Sequence, residues 1–433
     1  MTRRHFLQAA ASPLLSMGLG GLFSSHHAAA HAHEIHRLRQ IVTHNPQTTR
    51  MIQWDSESLL PDVRVEVRPS GTHAHVDIYI PSYTYFDIDD APQYTYRAEI
   101  RLPRSGGSYR VTSAHGTSAW IPLAHPDRNG TVRALLFSDS QCGESYDVWR
   151  GLYHAAWRRH PHADFAALVG DLVDNGESSW HWESFLSAMG GADSPLARHI
   201  HAPAPGNHEY YGLSWTAVPP ARYLHTFSLP DNGSTAFPGH YYSFTMGVVH
   251  FMVLDTQFLE LDARGSLLKT EQLAWLIRDA AESHAPWRVV LMHKDILACG
   301  DYQTEQGTTA GISDVGRVFM DTFDALDIDL VVSGHIHTYR RRQIRAQKTD
   351  QNGTLYLLAG PAGNEYFDVP AESYDLAASA NPAPSNYLYM EADAKELHVS
   401  CETADGTVID TVTETADGTV IDTVTLRKSK PPA

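Results

Sequence analysis

Five short polar clusters constrain the fold of this chain most strongly, because each directly follows an apolar segment of strand length. After about residue 129 such segments, for example 165–169 and 288–292, alternate with amphipathic segments of helical period. This alternation is typical of an α/β fold, in which functional loops lie beyond the carboxyl ends of the strands. The clusters are Ser138-Asp139-Ser140-Gln141, Gly170-Asp171-Leu172-Val173-Asp174, Gly206-Asn207-His208-Glu209, Met292-His293-Lys294 and Gly334-His335-Ile336-His337.

Taken singly, each cluster is a weak signal. An Asp or His after a strand is more often a capping or core residue than a ligand, and Gly-Asn-His-Glu alone could be a turn. In this order, however, the five clusters resemble the motifs of calcineurin-like metallophosphoesterases: Asp-x-His, Gly-Asp-x-x-Asp, Gly-Asn-His-Glu/Asp, His and Gly-His-x-His. The segments 241–244, 249–255 and 334–341 resemble the purple acid phosphatase branch more closely.

The resemblance implies a centre with two metal ions. Two cations about 3.5–4 Å apart neutralise a phosphoester and hold its attacking and leaving oxygens in line. Asp171 would bridge the ions, and the mixture of imidazole, carboxamide and carboxylate groups favours Fe, Mn or Zn over Ca or Mg. The remaining ligands implied by the family are Asp139 and His337 for one metal, and Asn207, His293 and His335 for the other.

Two positions depart from the family pattern. Gln141 stands where the first motif has His, and its amide oxygen could bind the first metal, or the side chain could lie behind the ligands. Asp174 stands where purple acid phosphatases carry the Tyr whose phenolate on ferric iron gives their colour, so a ferric tyrosinate is not expected. In the wider superfamily this aspartate hydrogen-bonds the motif-three histidine. His208 would then be the general acid and Asp174 its partner, unless Asp174 only caps a helix.

The resemblance also implies the reaction, hydrolysis of phosphomonoesters by a hydroxide that the metals activate. The nearest alternative is a phosphodiesterase acting on nucleotides or lipid head groups. A catalytically silent secreted binding protein is a remote alternative, favoured only by the loss of the first-motif histidine. The long segment from about Tyr210 to Gly239 follows the third cluster and is predicted to shape the mouth of the pocket.

Residues 33–126 read as short alternating strands separated by Pro and Gly, the pattern of an all-β sandwich. The segment 102–111 resembles the turn and tyrosine corner of a fibronectin-type module, and Trp54 is predicted to be a core aromatic residue. The sequence therefore predicts a fibronectin-like sandwich followed by a catalytic domain at 127–426 and a tail at 427–433. The resemblance implies that the catalytic domain has four layers, α/β/β/α.

The first 32 residues predict an exported protein. Arg3 and Arg4 precede an apolar stretch at 9–23 and small residues that end in Ala30-His31-Ala32, which is the pattern of a twin-arginine signal peptide. The apolar stretch is shorter than the roughly 20 residues that cross a bilayer. We therefore expect cleavage rather than a stable membrane anchor, and a periplasmic or secreted location.

Charge and cysteine content restrict the partners. The formal net charge of −17 argues against general attraction to nucleic acid or an anionic membrane, so the expected partner is a small phosphoester held by a site. Three scattered cysteines, Cys142, Cys299 and Cys401, are too few for a disulfide framework and are expected to be buried or idle thiols.

The C-terminal region contains an exact 12-residue duplication, because residues 402–413 recur as 414–425. Each copy reads as a strand led by an Asp-Gly turn, so the two copies could form a hairpin. Two copies are too few for a solenoid. We interpret the repeat as a duplicated edge strand without a function of its own.

Overall fold

The computed structural model describes residues 35–71, 75–87, 89, 91–126, 130–191, 194–298, 311–350, 352–415 and 420–425, with the backbone alone at 414–415 and 420–425. The predicted signal peptide, the tail at 427–433 and Cys299 lie outside the described residues. Cys142 and Cys401 are buried, as predicted, and do not form a disulfide.

The described residues up to 126 are β-rich, as predicted. They form two sheets, and each sheet buries alternate residues against the other. Trp54 is fully buried and stacks on Tyr96 with ring centroids 5.3 Å apart. The strands are β1 (His36–Ile41), β2 (Thr49–Ser56), β3 (Arg64–Pro69), β4 (Asp77–Tyr79), β5 (Ser82–Phe86), β6 (Gln93–Arg101), β7 (Gly107–Ser113), β8 (Gly116–Thr117) and β9 (Ile121–Pro122).

The following region alternates strands and helices, and two short 3₁₀ helices lie at His208–Tyr210 and Asp262–Arg264. Its helices are α1 (Asp147–Arg159), α2 (Ser179–Met189), α3 (Pro195–Arg198), α4 (Ala221–Thr226), α5 (Gly265–Glu282) and α6 (Asp314–Ala325). Its strands are β10 (Val132–Phe137), β11 (Phe165–Val169), β12 (Ile200–Ala204), β13 (Tyr242–Met246), β14 (Val249–Leu254), β15 (Trp287–Met292), β16 (Leu297–Ala298), β17 (Gly311–Ile312), β18 (Leu330–Ser333), β19 (Arg340–Arg345), β20 (Lys348–Thr349), β21 (Thr354–Leu358), β22 (Ala377–Ala378), β23 (Asn386–Ala392), β24 (Glu396–Thr403), β25 (Val408–Thr415) and β26 (Val420–Thr425).

Two large sheets organise this region. In the first, β10, β11 and β12 are parallel neighbours, and in the second, β14, β15, β18 and β21 are parallel neighbours. One hydrophobic cluster contains residues of both sheets, for example Phe165 and Phe251, whose ring centroids are 5.1 Å apart. Separate clusters join the first sheet to α1 and α2, and the second sheet to α5 and α6. The central strands are therefore buried on both faces, which explains why their sequences are apolar without alternation.

The first large sheet continues into the N-terminal region. β1 pairs in parallel with β12, with Gln40 opposite Ile200 and Ile41 opposite His201, and β2, β6 and β5 follow β1 in the same sheet. The predicted tyrosine corner is wrong, because the Tyr109 hydroxyl does not bond to nearby backbone upstream. It donates instead to the carbonyl of Ala197, at 2.8 Å, and so fastens the N-terminal strands to α3.

The 12-residue duplication extends the first large sheet at the edge opposite to the N-terminal strands. β24 pairs with β25, and β25 pairs antiparallel with β26. The first copy is anchored in the interior, since buried Asp410 accepts a 2.9 Å hydrogen bond from the Tyr339 hydroxyl and lies 2.9 Å from Nε of Arg341. Glu402, also in the first copy, accepts hydrogen bonds from His160, Tyr387 and Ser400.

Glu402 should make the free energy of unfolding depend on pH. Burial alone raises the pKa of Glu402, but the hydrogen bonds from His160, Ser400 and Tyr387 outweigh it and lower this pKa from 4.5 to about 2. The ionised carboxylate therefore stabilises the fold above pH 4.5, and that contribution is lost as the pH falls towards 2. We expect Glu402→Gln to unfold at lower urea concentration than wild type at neutral pH, with a difference that shrinks across this window. Glu396→Gln, an exposed change in the same β24 strand, is the control, and an unchanged urea midpoint in Glu402→Gln would contradict the assignment.

Candidate metal centre

The carboxyl ends of strands from both large sheets converge on one site. Asp139, Asp171 and Asn207 follow the parallel strands β10, β11 and β12, whereas His293 follows β15 and His335 follows β18. The first two clusters are also joined by their backbones, through hydrogen bonds from the Asp139 N–H to the Gly170 carbonyl and from the Gln141 N–H to the Asp171 carbonyl, each 3.1 Å long. The order of the strands therefore brings the sequence clusters together.

Four candidate ligands, one of them His337 two residues after His335, have backbone conformations that L-residues seldom adopt. Their φ angles are 56° for Asp139, 49° for Asp171, 77° for His335 and 54° for His337. Such conformations cost on the order of 1–3 kcal/mol each and persist where the surroundings enforce them, often at functional sites. The sharp turns aim ligand groups inward directly after the strands end.

Two groups of potential ligand atoms share one carboxylate. Asp171, His293 and His335 form the first group, Asp139, Asp171 and His337 form the second, and the ligand atoms within each group lie within 4.8 Å of one another. Asp171 Oδ2 is 2.9 Å from His293 Nε2, and Asp139 Oδ1 is 3.5 Å from His337 Nε2. Sharing of Asp171 is the arrangement that a carboxylate bridging two metal ions requires.

Asn207 and Gln141 complete the two sides of the centre. Asn207 Oδ1 is 3.2 Å from His293 Nε2, and Gln141 Nε2 is 3.0 Å from His337 Nε2. Among the described residues, the buried atoms Asp139 Oδ2 and Gln141 Oε1 have no hydrogen-bond partner. Buried oxygens without a partner are uncommon, and a cation would satisfy both. The residues present therefore fit metal ions.

His208 lies at the rim of the centre. Its Nε2 is 3.9 Å from Asp171 Oδ2, and its Nδ1 is 2.6 Å from the main-chain carbonyl of Asp174 and 3.5 Å from that residue's Oδ1. The structure thus brings His208 and Asp174 together, but it is the backbone carbonyl of Asp174 that accepts the hydrogen bond. The helix-cap alternative for Asp174 is wrong, because the next helix, α2, begins at Ser179 with Ser178 as its N-cap.

The ionisable groups of the centre influence one another strongly. Burial raises the pKa of Asp139. Burial also raises the pKa of Asp171, but the imidazoles of His293 and His208 outweigh it and hold this pKa well below its usual range. Burial lowers the pKa of His293, yet Asp171 and Asp139 reverse the effect and raise it to about 9. Cations bound here would favour ionised carboxylates and neutral imidazoles, the forms that act as ligands.

Comparison with known proteins agrees with this geometry. Residues 132–339 match the family model for calcineurin-like phosphoesterases. The chain contains a calcineurin-like phosphoesterase domain. All five clusters lie within the matched residues.

Relatives confirm the resemblance to the purple acid phosphatase branch. Purple acid phosphatase 23 of Arabidopsis thaliana is 27% identical over 184 residues, which are 40% of this chain and 38% of the relative. Phosphoenolpyruvate phosphatase of Allium cepa is 23% identical over 316 residues, which are 66% of this chain and 60% of the relative. The matches thus span less than two thirds of either relative's own length.

The fold of most of this chain is similar to that of a solved member of the branch. The structure of purple acid phosphatase PPD1 from yellow lupin (Lupinus luteus) seeds superposes with a TM-score of 0.72. The superposition covers 88% of this chain and 74% of that chain at 18% sequence identity, so it bears on the fold alone.

Glu209 stabilises the backbone of the loops that carry candidate ligands in the phosphoesterase domain. The sequence analysis did not predict this role. Its buried carboxylate accepts hydrogen bonds from the N–H groups of Asp171, Leu172, Val173 and Gly206. It therefore fixes the loop that carries Asp171, the candidate ligand shared by both groups. Glu209 is the last residue of the third cluster, so the sequence pattern does include it. Its role is not evident from ligand chemistry, because its carboxylate accepts hydrogen bonds from backbone groups.

His337 is held by two neighbours on the loop after β21. Its Nδ1 is 2.7 Å from the carbonyl of Glu365, and its ring stacks on Phe367 with centroids 4.1 Å apart. The carbonyl directs Nε2 towards Asp139, as hydrogen-bond partners of metal-binding histidines commonly do. The orientation of the His337 ring therefore depends on residues 28 and 30 positions further along the sequence.

The phosphoesterase domain packs so closely around its ligands that one added methyl group should disturb it. A Cβ atom at Gly334 would lie 1.7 Å from Ser138 Oγ and 2.6 Å from Asp139 Oδ2. We expect Gly334→Ala to lower stability by about 1–3 kcal/mol, the usual cost of overpacking, and to lower the metal content. Urea unfolding and metal analysis measure the two effects. Gly143→Ala is the matched control, because its Cβ would meet no atom within 4 Å; equal behaviour of the two variants would refute the close packing.

Proposed function

We propose that this protein hydrolyses phosphomonoesters with two metal ions bound in the centre. The observation that carries the proposal is the position of Asp171, which belongs to both groups of potential ligand atoms. When bound, the ions would neutralise the charge of the phosphoester, lower the pKa of a water molecule and align the reacting oxygens. The proposed ligands are Asp139, Gln141, Asp171, Asn207, His293, His335 and His337.

His208 is the proposed general acid that protonates the leaving alkoxide. Its Nδ1 is engaged by the Asp174 carbonyl, so Nε2 is the nitrogen that faces the centre and can donate a proton. Burial lowers the pKa of His208, but Asp171 and Asp174 outweigh it and raise the pKa above its usual value. Asp174 acts through its carbonyl and its charge.

The names of the relatives favour a monoesterase, since one is a phosphoenolpyruvate phosphatase. The alternative, a phosphodiesterase on nucleotides or lipid head groups, is favoured by Asp174 in the position of the purple-type Tyr. Assays on p-nitrophenyl phosphate and its bis-ester separate the two functions. We expect a higher kcat/KM for the monoester. A clear preference for the diester would establish the alternative, and no hydrolysis of either ester with metals present would support the silent binding protein.

The proposed metals are Fe, Mn or Zn, without a ferric tyrosinate. Asp174 supplies no phenolate, so protein purified in air is expected to lack the visible absorption band of a purple phosphatase. Absorption spectra combined with metal analysis test this proposal. A purple band in protein that contains iron would overturn the interpretation of Asp174.

The remaining parts of the proposal concern architecture and location. We propose a fibronectin-like sandwich at 33–126, a four-layer α/β/β/α catalytic domain and export through the signal at 1–32 to the periplasm or the medium. Within the described residues, no helix combines the length and apolar character needed to cross a membrane. The proposed partner is a small phosphoester rather than nucleic acid. Retention of an Arg3→Lys, Arg4→Lys double variant in the cytoplasm, with export of the wild type, would support this route.

A further inference from the structure

An exposed tryptophan lies beside the proposed general acid. The Trp215 side chain is 54% exposed, and its φ of 60° lies in the left-handed region, where a bulky residue is an outlier. Single exposed apolar residues are ordinary on protein surfaces. Trp215 differs from them because the surrounding loop holds it in an unfavourable backbone conformation. Residues strained in this way cluster at functional sites, so the strain indicates a functional role for the ring.

Hydrogen bonds fix the conformation of the loop that carries Trp215. Its own backbone closes it, with hydrogen bonds from the Trp215 N–H to the Gly212 carbonyl at 2.8 Å and from the Gly212 N–H to the Thr216 carbonyl at 2.9 Å. Side chains after the second cluster tether it as well. Asn175 Nδ2 donates to the Gly212 carbonyl at 2.8 Å, and Glu177 Oε2 accepts from the Leu213 N–H at 3.0 Å.

This loop places two aromatic rings against His208. The Trp215 ring meets the imidazole edge to face, with centroids 6.4 Å apart and an interplanar angle of 88°. Tyr211 meets the same imidazole at 5.3 Å and lies 6.1 Å from Trp215, and the Tyr211 hydroxyl is 3.4 Å from Nδ2 of the proposed ligand Asn207. The aromatic surface therefore borders the side of the centre at which the leaving oxygen would be protonated.

We propose that Trp215 is a specificity residue that selects phosphomonoesters whose leaving group carries a flat aromatic ring next to the ester oxygen. This inference rests on the proposed function, because it takes His208 to mark the leaving-group side. An aromatic ring attached close to the leaving oxygen would reach the Trp215 ring while the phosphate occupies the centre. Paired aromatic rings attract each other beyond the effect of buried area, and the exposed half of Trp215 offers such a contact.

The test compares two substrates with the same kind of leaving alkoxide. Benzyl phosphate and cyclohexylmethyl phosphate both release a primary alcohol, and only the first carries a flat aromatic ring. We expect the wild type to prefer benzyl phosphate and Trp215→Ala to lower kcat/KM for it about three- to tenfold, with less than a twofold effect on the other ester. Trp215→Phe should keep the preference, and Leu213→Ala, an exposed change in the same loop, should leave it unchanged.

Binding of the corresponding phosphonates, measured by calorimetry, gives a readout that needs no turnover. Benzylphosphonate should bind the wild type more tightly than cyclohexylmethylphosphonate, and Trp215→Ala should remove the difference. Equal use of both esters by the wild type, or equal losses on both esters in Trp215→Ala, would overturn the inference and leave the phosphatase intact. If the wild type hydrolyses neither these two esters nor p-nitrophenyl phosphate, the proposed function fails, and equal binding of the two phosphonates would then overturn the inference separately.

Discussion

Asp171→Asn is expected to lower kcat/KM for p-nitrophenyl phosphate by about 10³-fold or more, because it weakens both metal positions at once. Metal ions supply several kcal/mol of charge stabilisation in the transition state, and each 1.4 kcal/mol corresponds to about tenfold in rate. Asp171 is the one carboxylate, among the described residues, that belongs to both ligand groups. Steady-state kinetics and metal analysis of the purified variant measure the activity and the number of bound ions.

Loss of fold must be separated from loss of metal in this variant. Asp171 Oδ1 also accepts the N–H of His208 at 2.8 Å, a contact that an Asn oxygen can retain, so the fold is expected to survive. Asp147→Asn, a change at an exposed carboxylate on α1, is the control and should retain full activity. A folded Asp171→Asn variant that binds two ions and keeps wild-type activity would show that the shared position of Asp171 has no catalytic meaning.

His208→Gln is expected to lower kcat by about 10²–10⁴-fold on alkyl phosphates, the range that general acid catalysis usually contributes. The loss should be smaller on p-nitrophenyl phosphate, because nitrophenolate leaves without needing a proton. Metal content should stay at the wild-type value, since His208 lies at the rim and is not among the proposed ligands. Kinetics on ethyl and p-nitrophenyl phosphate, together with metal analysis, test all three expectations.

The dependence on the leaving group distinguishes proton donation from a structural role. A merely structural histidine would lower both activities by the same factor, and that outcome would remove His208 as the acid. His75→Gln is the control, because His75 is 71% exposed and lies in the N-terminal β-rich region. It should leave both activities unchanged.

Much of the candidate centre could be predicted because its candidate ligands directly follow buried parallel strands. Apolar segments such as 165–169 and 288–292 identify strands by composition, and the carboxyl ends of neighbouring parallel strands must lie close together. In the structure the clusters around Asp139, Asp171 and His335 follow strands, as the sequence pattern predicts. Their convergence also requires the two large sheets to pack against each other, because Asp139 and Asp171 follow strands of the first sheet and His335 follows a strand of the second. Strand pairing alone does not give that packing, which only the family resemblance implied.

The features that were missed depend on contacts between distant segments. Local sequence pattern carries no information that β1 pairs with β12, which is about 160 residues further along the chain. The Tyr109 hydroxyl bonds to Ala197 for the same reason. Asp174 illustrates a second limit. The resemblance implied that Asp174 hydrogen-bonds His208, and in the structure the main-chain carbonyl of Asp174 accepts this bond, not its carboxylate.

Titration of metal-free protein with Mn²⁺ or Zn²⁺, while hydrolysis of p-nitrophenyl phosphate is measured, tests the central claim most directly. The protein is first stripped of metal with a chelator, and ions are then added back in known ratio to the chain. A centre in which Asp171 serves two ions predicts that activity is absent at the start and reaches its plateau at two ions per chain. Full activity of the stripped protein, or a plateau at one ion per chain, would contradict the dinuclear assignment.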